Sequence, residues 1–113
     1  MKVGDIYYIS WGYDQTNVDF YRVIKLRGKT QAVIQAVDLE LNKVDCISSM
    51  AGDYTYNPLH YIPKDRDVFI KDNAKGRIVK RGRSWTDNKD IFSIDGHLAM
   101  PYKGQKVYES FYA

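Results

Sequence analysis

Val18-Asp19-Phe20-Tyr21-Arg22-Val23-Ile24-Lys25-Leu26, residues 18–26, decides the fold class. Val18, Phe20, Arg22, Ile24 and Leu26 alternate with Asp19, Tyr21, Val23 and Lys25, a period of two that places successive side chains on opposite faces of an extended chain. The stretch reads as a long strand. Gly28-Lys29 follows, a two-residue connection with glycine first that suits a type II′ hairpin, and residues 30–38 form the returning strand. Upstream, Val3-Gly4-Asp5 is a turn, and residues 6–11 (Ile-Tyr-Tyr-Ile-Ser-Trp) are types that fit a pleated, half-buried surface. Downstream, residues 39–43 read as a turn into a fourth strand over 44–50. Leu39, Glu40 and Leu41 favour helices, so a short helix over 36–42 is the alternative there. Four strands in succession joined by short turns imply an antiparallel meander.

The second half is more broken. Gly52, Asn57-Pro58 and Pro63 interrupt residues 51–66, which therefore read as an ordered loop held by Tyr54, Tyr56, Leu59 and Tyr61. Residues 68–70 and 77–85 are short strands. Residues 92–94 and 97–100 form a hairpin through Asp95-Gly96, the strongest such signal in the chain. Tyr102-Lys103-Gly104 turns into a last strand over 107–112. About eight short strands, with at most one short helix, predict a mainly β chain folded as a single compact antiparallel β-barrel or β-roll over residues 1–113.

Between the first two strands, large aromatics and hydrogen-bonding side chains are densest. Trp11, Tyr13, Asp14, Gln15, Thr16, Asn17, Asp19 and Tyr21 combine apolar area, polar tips and paired donors and acceptors, the chemistry of a partly wet, shape-specific contact. The competing reading is a loop whose Asp, Thr and Asn side chains bond its own backbone while Trp11 and Phe20 cap the core. The two are compatible if a rigid loop turns only some groups outward.

The run from Ser10 to Tyr21, preceded by Val3-Gly4-Asp5-Ile6, resembles a motif of small uncharacterised proteins carried by bacteriophages and plasmids. The C-terminal end resembles theirs as well, in a Gly-x-x-Val-Tyr-Glu-[Ser/Thr]-x-Tyr-Ala pattern met by Gly104, Val107, Tyr108, Glu109, Ser110, Tyr112 and Ala113. The resemblance covers the two ends and not the middle. Many members have Trp-Asp-Gly where this chain has Tyr102-Lys103-Gly104. It implies a mobile-element origin and assigns no mechanism.

Length and composition set the remaining bounds. A chain of 113 residues can bury a core without cross-links as one domain. Its one cysteine, Cys46, excludes an internal disulfide and a cysteine zinc cluster. With no signal-like N-terminus it fits the reducing cytoplasm of a bacterial cell. No apolar run approaches the roughly 20 residues of a membrane helix. A formal charge of +3 does not demand an anionic partner.

Lys71, Lys75, Arg77, Lys80, Arg81 and Arg83, followed by Trp85, form the sharpest charge feature, suited to phosphates beside stacked bases. The bland alternative is a solvated edge strand whose charges discourage edge-to-edge pairing. Catalysis has little to work with. His60 and His97 are the only histidines, His97 reading as an exposed strand residue and His60 as a packed or solvent-facing ring. Cys46 reads as a small, inert core residue. Asp14, Asn17, Asp19 and Glu109 offer oxygen donors, but at no known metal-loop spacing. No cofactor is expected.

Three functional classes remain. One is a non-catalytic binding module that grips a protein partner, possible host defence components included, through Trp11 to Tyr21. Another is a small nucleic-acid-binding barrel using Lys71 to Trp85. The third is a nucleotide or small-molecule binder, or an enzyme, with a pocket at Trp11, Tyr13, Asp14, Gln15 and Asn17. An exposed edge strand or the tyrosine-rich loop could also support a homodimer.

Overall fold

The computed structural model describes residues 1–12, 15–64, 76–83 and 90–110. Its strands are β1 (Ile6–Trp11), β2 (Asn17–Arg27), β3 (Gln31–Ser48), β4 (Ala51–Pro63), β5 (Arg77–Lys80), β6 (Gly82–Arg83), β7 (Asp90–Ile91), β8 (Ser93–Ile94), β9 (His97–Leu98), β10 (Met100–Pro101) and β11 (Val107–Ser110). The main sheet has the order β10-β1-β2-β3-β4-β11, all antiparallel, with β5 paired to the first part of β3. It curls strongly into a half-barrel, so the mainly β, barrel-like or roll-like class read from the sequence holds. No helix among the described residues is long and apolar enough to cross a membrane.

The central strands are longer than their sequences announced. Residues 39–43 neither turn nor coil: β3 runs unbroken through them, because Leu39 is buried in the core and the backbone from Val37 to Ser48 pairs with β4. Tertiary pairing overrides the helix preference of Leu39 to Leu41. Strands make up 72% of the described residues and none is helical, which rules out the helix over 36–42. The expected loop over 51–66 is largely β4. Asn57 pairs with Glu40 and Tyr61 with Leu39, so the register skips Pro58, Leu59 and His60. Proline has no ladder donor, and a bulge is where a paired strand tolerates it. The β2–β3 connection is also one residue longer than expected, since Arg27 pairs with Gln31 across Gly28, Lys29 and Thr30. The Asp95-Gly96 hairpin is as read, both residues having positive φ (51° and 82°). Residues 68–70, 84–85 and 111–112 of the expected strands lie outside the described residues.

Period two located β2 but not its burial. Phe20 and Val23 are both buried, because the sheet is covered on both faces. One core gathers Tyr7, Ile9, Val23, Ile34, Val79, Phe92, Ile94 and Ala99; the other gathers Ile6, Phe20, Val37, Leu39, Tyr102 and Val107. A bulge between Val23 and Lys25 shifts the register, and Leu26 consequently packs with Val23's core rather than Phe20's. The curl is drawn together at its far edge. Ser110 donates its amide to the Thr16 carbonyl at 3.0 Å, and the Thr16 amide donates to Ser110 Oγ at 2.7 Å, which ties β11 to the β1–β2 loop.

Candidate functional site

The β1–β2 loop satisfies much of its own polarity and still presents a large ring. Trp11 Nε1 donates to Asp19 Oδ2 at 2.6 Å across the paired strands, and Gln15 Nε2 donates to Asn17 Oδ1 at 2.9 Å. Thr16 is engaged through its backbone by Ser110. Gly12 makes this path possible: φ is 131°, and a Cβ there would lie 1.9 Å from the Gln15 carbonyl oxygen. Trp11 nevertheless remains 41% exposed. Gln15, Thr16, Asn17, Asp19 and Tyr21 are half-buried, and burial raises the Tyr21 phenol above its ordinary range, with Asp19 adding to the effect. Tyr13 and Asp14 lie outside the described residues.

Asp19 carries the site across the sheet. Phe20 pairs with Val37, so the register brings Asp19 toward Asp38, two like charges that oppose one another. Lys64 bridges them, its Nζ 3.4 Å from Asp19 Oδ1 and 3.7 Å from Asp38 Oδ1. Lys64 is placed for this by its amide, which bonds the Ala36 carbonyl at 3.0 Å. Beyond Asp38 the β4 bulge opens a groove of about 610 Å³ lined by Asp38, Leu39, Glu40, Leu59, His60, Tyr61 and Ile62. His60 Nδ1 is hydrogen-bonded to Glu40 Oε2 at 2.6 Å, and the Arg22 guanidinium lies 4.6 Å from the centre of the Tyr61 ring. Leu59 and Tyr61 were expected to hold a loop inward; Leu59 instead stands 82% exposed at the bulge. Lys64 was not among the candidate site residues, and Leu59 was read only as a residue that holds the loop. The usable signal was Asn57-Pro58, which marks a bulge when it falls inside an otherwise aromatic, pleated run.

On the inner side, Glu109 is buried, and its carboxylate accepts a short hydrogen bond from the Tyr56 hydroxyl. The Tyr56 amide in turn donates to the Tyr102 hydroxyl at 2.8 Å, which donates to the Gln105 carbonyl at 2.8 Å. Burial pushes the Glu109 carboxyl above the ordinary glutamate range, partly offset by the Tyr56 bond. Burial and the neighbouring Glu109 also push Tyr56 well up. A raised acid binds its proton more tightly in the folded chain, so this contribution to stability is present in full below the ordinary glutamate value. It is lost as pH rises through the raised one. Glu109→Gln keeps an acceptor for Tyr56 without the charge. Chemical denaturation across pH is therefore expected to find the variant more stable than the parent near neutrality, with the gap closing toward acid. A gap that is constant with pH would contradict the assignment.

The basic stretch is largely occupied by the fold where it is described. Arg77 pairs with Asp95 at 2.9 Å, which raises its pKa further, and Arg81 donates to the Gly28 carbonyl at 2.9 Å. Lys80 is exposed on β5. Arg83 is described by its backbone alone, and Lys71, Lys75 and Trp85 lie outside the described residues. Cys46 is exposed, not a core residue, because β2 stops pairing with β3 at Val37 and leaves the outer part of β3 uncovered. His97 is half-buried rather than exposed. Glu109 and Asp19 do come near one another, but among the described residues no three His, Cys, Asp or Glu side chains are grouped to hold a metal ion. Comparison with protein-family models, with curated proteins and with solved structures finds no match to this chain.

Proposed function

We propose that the protein is a non-catalytic binding module that grips a protein partner through the surface running from Trp11 to Tyr21. One observation carries this reading: Trp11 keeps 41% of its area open while its indole N–H is already held by Asp19. A ring fixed by a neighbour and open to solvent offers apolar area at low ordering cost, and tryptophan is over-represented among the residues that dominate interface energetics. The resemblance of both chain ends to phage and plasmid proteins supports a mobile-element setting, in which a host defence component is a candidate partner. The engagement of Arg77 and Arg81 within the fold favours this reading over nucleic-acid binding.

The test is capture from bacterial lysate by the tagged chain, with and without nuclease. Trp11→Ala is expected to lose a discrete, nuclease-resistant protein by at least tenfold, as truncating an anchor that contributes about 2 kcal/mol or more would do. Undiminished capture by the variant, or release by nuclease, would overturn the reading.

A further inference from the structure

Next to the Trp11 surface lies the groove between β3 and the β4 bulge. Its chemistry differs from that of the loop. Leu39 is buried within it, Leu59, Tyr61 and Ile62 are exposed apolar walls, and Leu59 stands out at the skipped register position. The carboxylates in its lining are Asp38 and Glu40, whose side chains are 67% and 60% exposed, and His60 lines it beside Glu40. Lys64 touches Asp38 and Arg22 lies over Tyr61, but neither lines the groove. A chain of net charge +3 thus has two exposed carboxylates lining an apolar hollow, Asp38 within 3.7 Å of Lys64 Nζ and Glu40 bonded to His60 at 2.6 Å. Its volume falls within the range of ligand sites, and it is continuous with Trp11 through Lys64 and Asp19.

We infer that this groove docks an extended partner segment carrying lysine or arginine next to a leucine-like side chain, the cations meeting Asp38 and Glu40 and the aliphatic group packing against Leu39, Tyr61 and Ile62. Complementary charge sets the register and selects against acidic segments, while apolar burial supplies the attraction. The inference rests on the binding-module reading and names the chemistry of its partner. Leu59 acts as a knob at one side of the hollow, and Lys64 keeps Asp38 aligned with the Trp11 surface.

The probe is an acetylated hexapeptide of alternating lysine and leucine, with two controls in which glutamate replaces lysine or glycine replaces leucine. Titrated into the isotopically labelled full chain, the lysine–leucine peptide is expected to shift amide resonances at residues 38–41 and 59–62. Binding should weaken several-fold as salt rises from about 50 to about 300 mM, as screening of exposed charges requires. The two controls should bind at least tenfold more weakly. The double variant Asp38→Lys and Glu40→Lys should lose the response, and Leu59→Ser should diminish it with the fold intact. Equal binding of the glutamate peptide, or shifts confined to other regions, would overturn the inference. So would a concentration-dependent dimer that Leu59→Ser dissolves without any peptide response, which would assign the groove to a second copy. Lysate capture lost in Trp11→Ala but kept in the double lysine variant would sink the groove alone; the reverse pattern would sink the Trp11 reading and leave the groove.

Discussion

Phe20→Ala is expected to lower the unfolding free energy by about 3–5 kcal/mol, the range for removing a large aromatic from a packed interior. Phe20 is buried in β2, and its ring meets Tyr56 at 4.8 Å, Tyr102 at 5.0 Å and Tyr8 at 6.3 Å between centroids. Three strands and the turn before β11 therefore share this one side chain. The cavity cannot close cheaply, since Tyr102 and Tyr56 are held by each other's hydrogen bonds. Urea denaturation should show a lower midpoint at an unchanged slope, which would place the loss in stability and not in a change of the denatured state. Tyr108→Ala is the control: Tyr108 is exposed on β11, and the change should stay within about 0.5 kcal/mol. A Phe20→Ala cost below about 1 kcal/mol would show that the tyrosine cluster is not a core.

Gly12→Ala is the second large effect. The backbone at Gly12 has φ of 131°, where a side chain is strained, at a cost of about 1–3 kcal/mol. The added Cβ would also lie 1.9 Å from the Gln15 carbonyl oxygen, so the loop must move. Gly4→Ala separates the two causes. Gly4 also has positive φ (98°), but an added Cβ there meets nothing within 4 Å. Thermal unfolding should therefore rank Gly12→Ala clearly below Gly4→Ala, and Gly4→Ala below the parent. Because the loop carries Thr16 to Ser110, hydrogen exchange at both amides should accelerate in the Gly12 variant. Equal losses in the two glycine variants would mean that the loop path is not fixed by its lack of a side chain.

The legibility of the fold followed the range of the interactions that make it. The alternation over residues 18–26 and the Asp95-Gly96 turn are local signals, and both led to the structure. The continuity of β3 and β4 depends on cross-strand partners far apart in sequence, such as Val37 with Pro63. Local propensity at Leu39 to Leu41 and the prolines at 58 and 63 pointed elsewhere. Burial was not legible in the alternation for a related reason. A strand covered on one face alternates cleanly, whereas β2 is covered on both, so Phe20 and Val23, from the two alternating sets, are both buried. In the candidate site, the polar loop was visible as a composition anomaly. Its mutual satisfaction, Trp11 with Asp19 and Thr16 with Ser110, could not be seen without the pairing register. Lys64 was invisible for the same reason, since its importance arises only once Asp19 and Asp38 are brought together across β2 and β3.

The claim that Trp11 is presented for another molecule to touch is most directly tested by placing a photo-crosslinking aromatic residue, p-benzoylphenylalanine, at position 11 and irradiating living bacterial cells. Lys29, exposed in the β2–β3 connection, serves as the control position. A discrete, nuclease-resistant protein adduct formed from position 11 and absent from position 29 is the predicted result. No adduct at position 11, or the same adducts from both positions, would contradict it.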